Sequence, residues 1–311
     1  MTGPRAGKKK AVIILNGISL KKKLFYHEYL PAISSIFDTE VHETLSKNDA
    51  KALAAKYADK YPDVILAAGG DGTLNQVVNG ILKGREEETK LPVIGIIPIG
   101  SGNDFARGAG LKGLPQTLVK LKAFEPRLVD VGLIEYAEQS DGKGGSASAY
   151  FVNMADIGMG PEVVGKVLAS GRPFGSAVAY YKSILNTFLT YKPMVVQARA
   201  DDWEWQGKVR TLAVANGRYY GHGLCVAPDA KLDDRKFSVF ICGDVSVFDF
   251  VMHTGSLKKG KTINKDEVLY KSTTTIEFAS EVPCPIEGDG EMLGWLPAKV
   301  TMIGRQLEFL I

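Results

Sequence analysis

The 311 residues carry 38 Lys and Arg against 35 Asp and Glu, a formal net charge of +3, with 45% hydrophobic and 23% charged residues. A balance this even excludes the basic footprint of a nucleic-acid-binding protein, and the length allows two domains with separate cores. The three cysteines, Cys225, Cys242 and Cys284, are far apart and support neither a disulfide framework nor a zinc site. No apolar run approaches the roughly 20 residues of a membrane span, so the expected location is cytoplasmic.

In chain order, residues 11–15 read as a first strand, followed by Asn16-Gly17-Ile18-Ser19. An amphipathic helix is expected over 24–37, interrupted early by Pro31. Residues 39–45 alternate like a strand, and Ser46 stands as the cap of a helix over 47–61. Residues 63–68 form a buried-type strand that runs into Gly69-Gly70-Asp71-Gly72-Thr73-Leu74-Asn75, with a helix expected over 73–83. Glycine lets the main chain approach an anion without a Cβ in the way, and a helix N-terminus favours the same anion. Asp71 would repel a bare phosphate but suits one carrying a metal ion, which points to nucleoside triphosphate chemistry. As a bare turn, Gly-Gly-Asp-Gly is equally at home in an ordinary strand-to-helix connection.

A second strand over 93–98 runs into Ile99-Gly100-Ser101-Gly102-Asn103-Asp104, with Asn103 or Asp104 as the cap of a short helix. Two such loops at the ends of two strands of one parallel sheet would converge on one crevice. A helix over 114–124 ends this βαβ rhythm. After Pro126 the pattern becomes β-rich. Strands are expected at 128–136, 149–154, 194–200, 208–215, 236–242, 268–278 and 299–303, with helices at 161–170, 176–190 and 247–257. Residues 141–146 read as a hairpin turn, and the long loop over 216–234 as functional. The boundary expected is 1–126 for a nucleotide-binding α/β domain and 127–311 for a β-rich domain, the final strand free to return to the first. The apolar face of helix 176–190 (Val178, Tyr181, Ile184, Leu185, Phe188) reads as core, or as one wall of an acyl-chain groove. The clusters Lys8–Lys10, Lys21–Lys23 and Lys258-Lys259 are solvated surface or a means of approaching an anionic membrane.

The two glycine loops, followed by Arg127-Leu128-Val129-Asp130, Phe151-Val152-Asn153-Met154-Ala155-Asp156-Ile157-Gly158, Val214-Ala215-Asn216-Gly217, the stretch over 227–234 and Gly288-Asp289-Gly290-Glu291, resemble the diacylglycerol kinase catalytic family. The resemblance spans roughly residues 10–311. It implies a nucleotide-binding domain similar to those of phosphofructokinases and NAD kinases, then a β-sandwich. The implied activity is transfer of the ATP γ-phosphoryl group to a lipid hydroxyl with Mg2+. On this resemblance Asn16, Gly69, Gly70, Gly72, Thr73, Gly100, Ser101 and Asn103 bind the nucleotide, and Asp71, Asp104 and Asp130 form an acidic network near the phosphates. Asp289 becomes the general base with Glu291 in support. Asp234, with carbonyls of Lys231 and Lys236, would hold a structural Mg2+. Taken alone, Glu287–Glu291 has the look of a hairpin turn. The family's usual Asn-Pro-x-x-Gly opening is replaced by Asn16-Gly17-Ile18-Ser19. The implied setting is a lipid substrate met by transient peripheral contact at the inner membrane surface, a homodimer being plausible by analogy. The alternatives are a kinase of a soluble acceptor such as NAD or a sugar phosphate, and a nucleotide-binding regulator without catalysis.

Overall fold

The structure, a computed structural model, describes residues 7–46, 48–60, 62–86, 88–142, 144–169 and 177–311, with backbone course alone for 167–169 and 177–181. The expected helix ends at Lys47, Tyr61, Ser170 and Ser176, and the Val178 and Tyr181 side chains, lie outside that description. The chain divides into two compact units. The first takes the residues up to Gly100, Ala109–Leu128 and Leu307–Ile311; the second takes Ser101–Gly108 and Val129–Gln306.

The first unit is a parallel sheet between helices. β1 (Lys10–Leu15) pairs with both β2 (Asp38–Glu43) and β3 (Val64–Gly69), and β3 with β4 (Val93–Pro98). β3 and β4 are buried along their whole length, as central strands covered on both faces must be. Phe309 and Leu310 from the chain end add a parallel partner to β4. Between β1 and β2 run α1 (Lys22–Leu24), a π-helical turn over Phe25–Tyr29 and α2 (Leu30–Ser34). The expected break at Pro31 is absent. Instead the helix widens just before it, Leu30 N donating to the Phe25 carbonyl, and a wide turn relieves the clash between a proline ring and the preceding turn. α3 (Asp49–Ala58) starts later than expected. Ser46 is not its cap: the Ser46 hydroxyl donates to Asp49, whose Oδ2 accepts the Leu45 and Ser46 amides, and Asn48 takes the cap position. α4 (Asp71–Leu82) lies against α3 through Gly80, where a Cβ would stand 2.3 Å from the Lys51 carbonyl oxygen.

Ser101–Gly108, read from sequence as part of the first domain, clusters with the second unit, and its helix α5 (Asp104–Gly108) is anchored there through Asp104. α6 (Leu114–Ala123) belongs to the first unit.

The second unit is a β-sandwich with a helical cover. Its strands are β5 (Arg127–Ala137), β6 (Ser146–Phe151), β7 (Met154–Gly158), β8 (Met194–Ala200), β9 (Glu204–Val209), β10 (Thr211–Ala215), β11 (Tyr219–Tyr220), β12 (Leu224–Cys225), β13 (Phe237–Cys242), β14 (Val268–Thr273), β15 (Thr275–Ala279), β16 (Pro285–Gly288) and β17 (Glu291–Leu310). One layer runs β14-β13-β10-β7-β16 and continues into β17, which also pairs with β5 and β15; β6 joins β5, while β8 and β9 follow β15. Ile157, Leu212, Val239 and Ile286 from the first layer meet Ile134, Val196, Ile276 and Val300 in the inter-layer core. Successive side chains alternate between faces, so Met154, Ala213 and Phe240 point to the other side. There they pack with α7 (Met159–Ala169), α8 (Ala177–Thr190) and α9 (Val247–Lys258) in a second core.

Three expected strands are each broken by a polar anchor. Between β6 and β7 the amides of Val152 and Asn153 turn to the Asp289 carboxylate. Between β9 and β10 the Arg210 guanidinium donates to the Val245 and Phe188 carbonyls. Between β14 and β15, Asp201 accepts from the Thr274 amide and from the hydroxyls of Thr273 and Thr274.

Candidate active site

In the first unit the nucleotide-binding residues of the sequence reading lie at the carboxyl ends of β1, β3 and β4. Asn16 N donates to the Ala68 carbonyl at 2.8 Å, and its Nδ2 stands 3.4 Å from Thr73 Oγ1. Its Oδ1 accepts the Ile18 amide, closing a turn over Gly17. Gly17 is needed there, since a Cβ would lie 2.1 Å from the Thr44 carbonyl oxygen. Ile99 and Gly100 amides both donate to the Gly69 carbonyl, tying the two glycine loops together. α4 begins at Asp71 rather than Thr73, with Gly70 at the N-cap and no side-chain cap. Asp71 and Gly72 therefore sit in the first turn, where an acid complements the helix dipole. The uncapped turn presents backbone amides to an anion.

In the second unit, Asn103 precedes α5 with φ of 56°, and Ser101 is exposed two residues before it. Asp104 is buried, its Oδ2 accepting the His222 amide at 2.8 Å and its Oδ1 lying 3.8 Å from Arg107 Nε. His222 is itself half-buried, and this desolvation followed by the Arg107 charge lowers its imidazole to about 4. It is neutral at physiological pH.

Asp130 has different surroundings. It is wholly buried, with Oδ2 accepting the Arg235 amide and Oδ1 accepting Gln306 Nε2, both at 2.6 Å. Its own amide donates to the Leu232 carbonyl. It pins the loop containing Lys231, Asp234 and Lys236 from beneath. Asp71 belongs to the first unit, Asp104 and Asp130 to the second; among the described residues no group of three or more His, Cys, Asp or Glu stands close enough to hold a metal ion. In the pinned loop Asp234 is exposed, Oδ1 accepting the Lys236 amide at 3.2 Å.

Asp289 and Gly290 form the two-residue turn between β16 and β17, with φ of 51° and 84°, the left-handed pair that a tight hairpin requires. The Asp289 carboxylate lies on the β6–β7 connection. Oδ1 accepts the Asn153 and Met154 amides at 2.9 Å each, and Oδ2 the Val152 amide at 3.0 Å. Three backbone amides thus occupy its two oxygens. Glu291, two residues on, is half-buried at the start of β17.

Five further residues were quoted in the sequence without a role. Asn216 is wholly buried and donates through Nδ2 to the Asp130 and Val152 carbonyls. Asn153 donates to the Tyr219 carbonyl, so the β5, β6–β7 and β10 loop ends are fastened to one another. Asp156 and Glu287 are cross-strand neighbours on β7 and β16, each 1% exposed. Burial raises both carboxyls well above the ordinary range, and their proximity pushes Glu287 further. Tyr220 donates to Asp156 Oδ2 at 2.7 Å.

Tyr220 also lines a cavity of about 70 Å³ between the β7-β10-β13 face and the helices. Its walls are almost entirely apolar, among them Val163, Ile184, Phe188, Leu224, Phe240 and Phe250. Gly160 lines it too, and a Cβ there would stand 1.7 Å from Asp156 Oδ2 and 2.1 Å from the Tyr220 hydroxyl. The missing side chain leaves room for this polar pair beside the cavity. Of the expected groove residues on α8, Ile184 and Phe188 face the cavity, whereas Leu185 points outward.

Residues 10–134 match the family model described as diacylglycerol kinase catalytic domain, and residues 153–311 that of the YegS C-terminal NAD kinase beta sandwich-like domain. A diacylglycerol kinase of Bacillus subtilis (strain 168) is 28% identical over 283 residues, covering 88% of this chain and 86% of its own. A probable lipid kinase YegS-like protein of Chromohalobacter salexigens is 31% identical over 262 residues, 81% of this chain and 76% of its own. The solved structure of a putative diacylglycerol kinase from Bacillus anthracis str. Sterne matches the fold with a TM-score of 0.75 over 98% of both chains, at 20% identity. The chain belongs to the diacylglycerol kinase family of lipid kinases.

Proposed function

We propose that the chain transfers the γ-phosphoryl group of ATP to the hydroxyl of a diacylglycerol-like membrane lipid. The observation that carries this reading is the apolar cavity, which suits hydrocarbon and offers little to NAD or a sugar phosphate. The acceptor's chain occupies the cavity, and its polar end lies toward Tyr220 and Asp156.

Phosphoryl transfer asks chiefly for positioning and charge neutralisation. The α4 amino terminus supplies backbone donors to the nucleotide phosphates in this reading, and the Gly69–Gly100 contact holds the two glycine loops together. The lipid hydroxyl oxygen attacks the γ-phosphorus, the bond to ADP breaks, and the hydroxyl proton passes to a carboxylate. The sequence reading gave that proton to Asp289. The three amides on Asp289 favour Glu291 as acceptor, with Asp289 fixing the turn that presents it.

The donors present fit Mg2+. The exposed Asp234 carboxylate and the Lys231 and Lys236 carbonyls are hard oxygen ligands, and Mg2+ is ordinarily held by few protein groups plus water and phosphate. Bound near the phosphates, the ion would supply charge neutralisation.

The test is ATP turnover with Mg2+ on dioctanoylglycerol, a sphingoid base, ceramide, phosphatidylglycerol, NAD and fructose 6-phosphate, for the wild type and Glu291→Gln. The expected result is phosphorylation of one lipid, lost in Glu291→Gln at unchanged melting temperature. Turnover of NAD or the sugar phosphate, with none of lipid, overturns the reading.

A further inference from the structure

α8 and α9 are apolar on two faces. On α9, Phe250, His253 and Leu257 repeat at helical spacing and line the cavity. Half a turn away, on the opposite face, Phe248, Val251 and Met252 are 71%, 53% and 63% exposed. α8 repeats the arrangement, with Ile184 and Phe188 inward and Leu189 outward at 66%. The two helices adjoin, Phe188 stacking on Phe250 with ring centroids 5.0 Å apart. A helix that is apolar on both sides calls for a second apolar environment beyond the core. Single exposed apolar residues need no explanation, but a patch over an apolar cavity does.

Lysines flank this patch, alongside the exposed acids Asp244, which pairs with Arg210, and Asp266 and Glu267. Lys258, Lys259 and Lys261 are exposed at the end of α9, and Lys182 and Lys192 are exposed at α8. The acid on α9, Asp249, is occupied by Lys265 and by its capping box with Ser246.

We infer that the outward faces of α8 and α9 form a membrane-docking surface that inserts Phe248, Val251, Met252 and Leu189 among the acyl chains of an anionic bilayer, with the lysines at headgroup level. Apolar insertion and attraction to anionic lipid are the two contributions that hold interfacial helices. The surface lies over the same cavity in which the proposed acceptor chain is housed, so a lipid enters from the bilayer without crossing water. That consequence rests on the lipid-acceptor reading; the docking itself does not.

The test is co-sedimentation of the full chain, without nucleotide, with vesicles of phosphatidylcholine alone and with 30 mol% phosphatidylglycerol. Binding is expected to the anionic vesicles, weakened at high salt. Phe248→Glu combined with Met252→Glu is expected to lower partitioning at least tenfold, and Lys258→Gln with Lys259→Gln to remove most of the preference for phosphatidylglycerol. Val119→Glu, an exposed apolar site on α6, controls for a general charge effect and should bind as wild type. Melting temperatures should be unchanged, because the substituted side chains are exposed. The inference is overturned if the wild type fails to sediment with anionic vesicles, or if the α9 pair binds no worse than Val119→Glu. Failure of lipid phosphorylation with intact sedimentation would instead strike the reaction proposed above and leave the surface standing.

Discussion

Replacing Asp289 with asparagine separates a structural carboxylate from a catalytic one. The turn itself tolerates the change, because asparagine accepts the left-handed φ of 51° as readily as aspartate. What changes is the acceptor count. Asparagine keeps one oxygen for the Asn153 and Met154 amides but turns an amino group toward the Val152 amide, donor against donor. One buried donor left without an acceptor costs about 1–3 kcal/mol. The other two bonds also lose their charge assistance, and charged hydrogen bonds are roughly twice as strong as neutral ones. The expected loss is about 3 kcal/mol in a unit of about 190 residues, or a fall of roughly 6–12 °C in melting temperature. Calorimetry or circular-dichroism melts of Asp289→Asn beside Glu291→Gln measure it. A melting temperature within about 2 °C of wild type would refute the structural role, and would return Asp289 to the position of general base. Until that is known, inactivity of Asp289→Asn alone says little about chemistry.

Glu287→Gln is expected to flatten the alkaline side of the stability profile. The buried Glu287 and Asp156 carboxyls hold protons that the unfolded chain has released, so wild-type stability falls as pH rises above the ordinary carboxylate range. Urea melts at pH 5 and pH 8 should show the variant losing less than wild type across that interval; an equal loss refutes the assignment. Asp130→Ala strands the Arg235 amide and Gln306 side chain and is expected to cost about 2–4 kcal/mol. It should also open a proteolytic site within residues 231–236, and unchanged protection there would count against the pinning role. Gly17→Ala drives a Cβ into the Thr44 backbone carbonyl, costing about 1–3 kcal/mol. If Asn16 helps to seat the nucleotide, KM for ATP should rise with it, and KM should stay level if the loop is remote from ATP.

The elements were legible wherever periodicity was strong. β3, β4, β8 and α9 stand within a residue of their expected limits, because continuous apolar runs and 3.6-residue spacing leave little choice. The two-layer core followed from the same patterning. The breaks did not, since Val152, Arg210 and Thr274 look like strand residues until a partner distant in sequence claims their hydrogen bonds. Pro31 misled for the opposite reason: a local rule predicted a stop, and one wide helical turn absorbed it. At the candidate site the glycine loops could be read because they need particular backbone geometry. Asp130 could not. The family resemblance implied a place near the phosphates, while the hydrogen bonds by which it holds a loop depend on Arg235 and Gln306, far along the chain. Asp156 and Glu287 were hidden because only strand register sets them side by side.

The first sheet is completed from far along the chain. Phe309 and Leu310 pair with Ile94 and Gly95 across about 215 residues of sequence, and Leu307, Phe309 and Leu310 are buried. On the ribosome the amino-terminal unit therefore emerges with one edge of β4 unpaired, and that edge stays open until those residues follow. Its folding cannot be purely vectorial. A chain cut short before Leu307 would keep an open, apolar strand edge of the sort that recruits other chains.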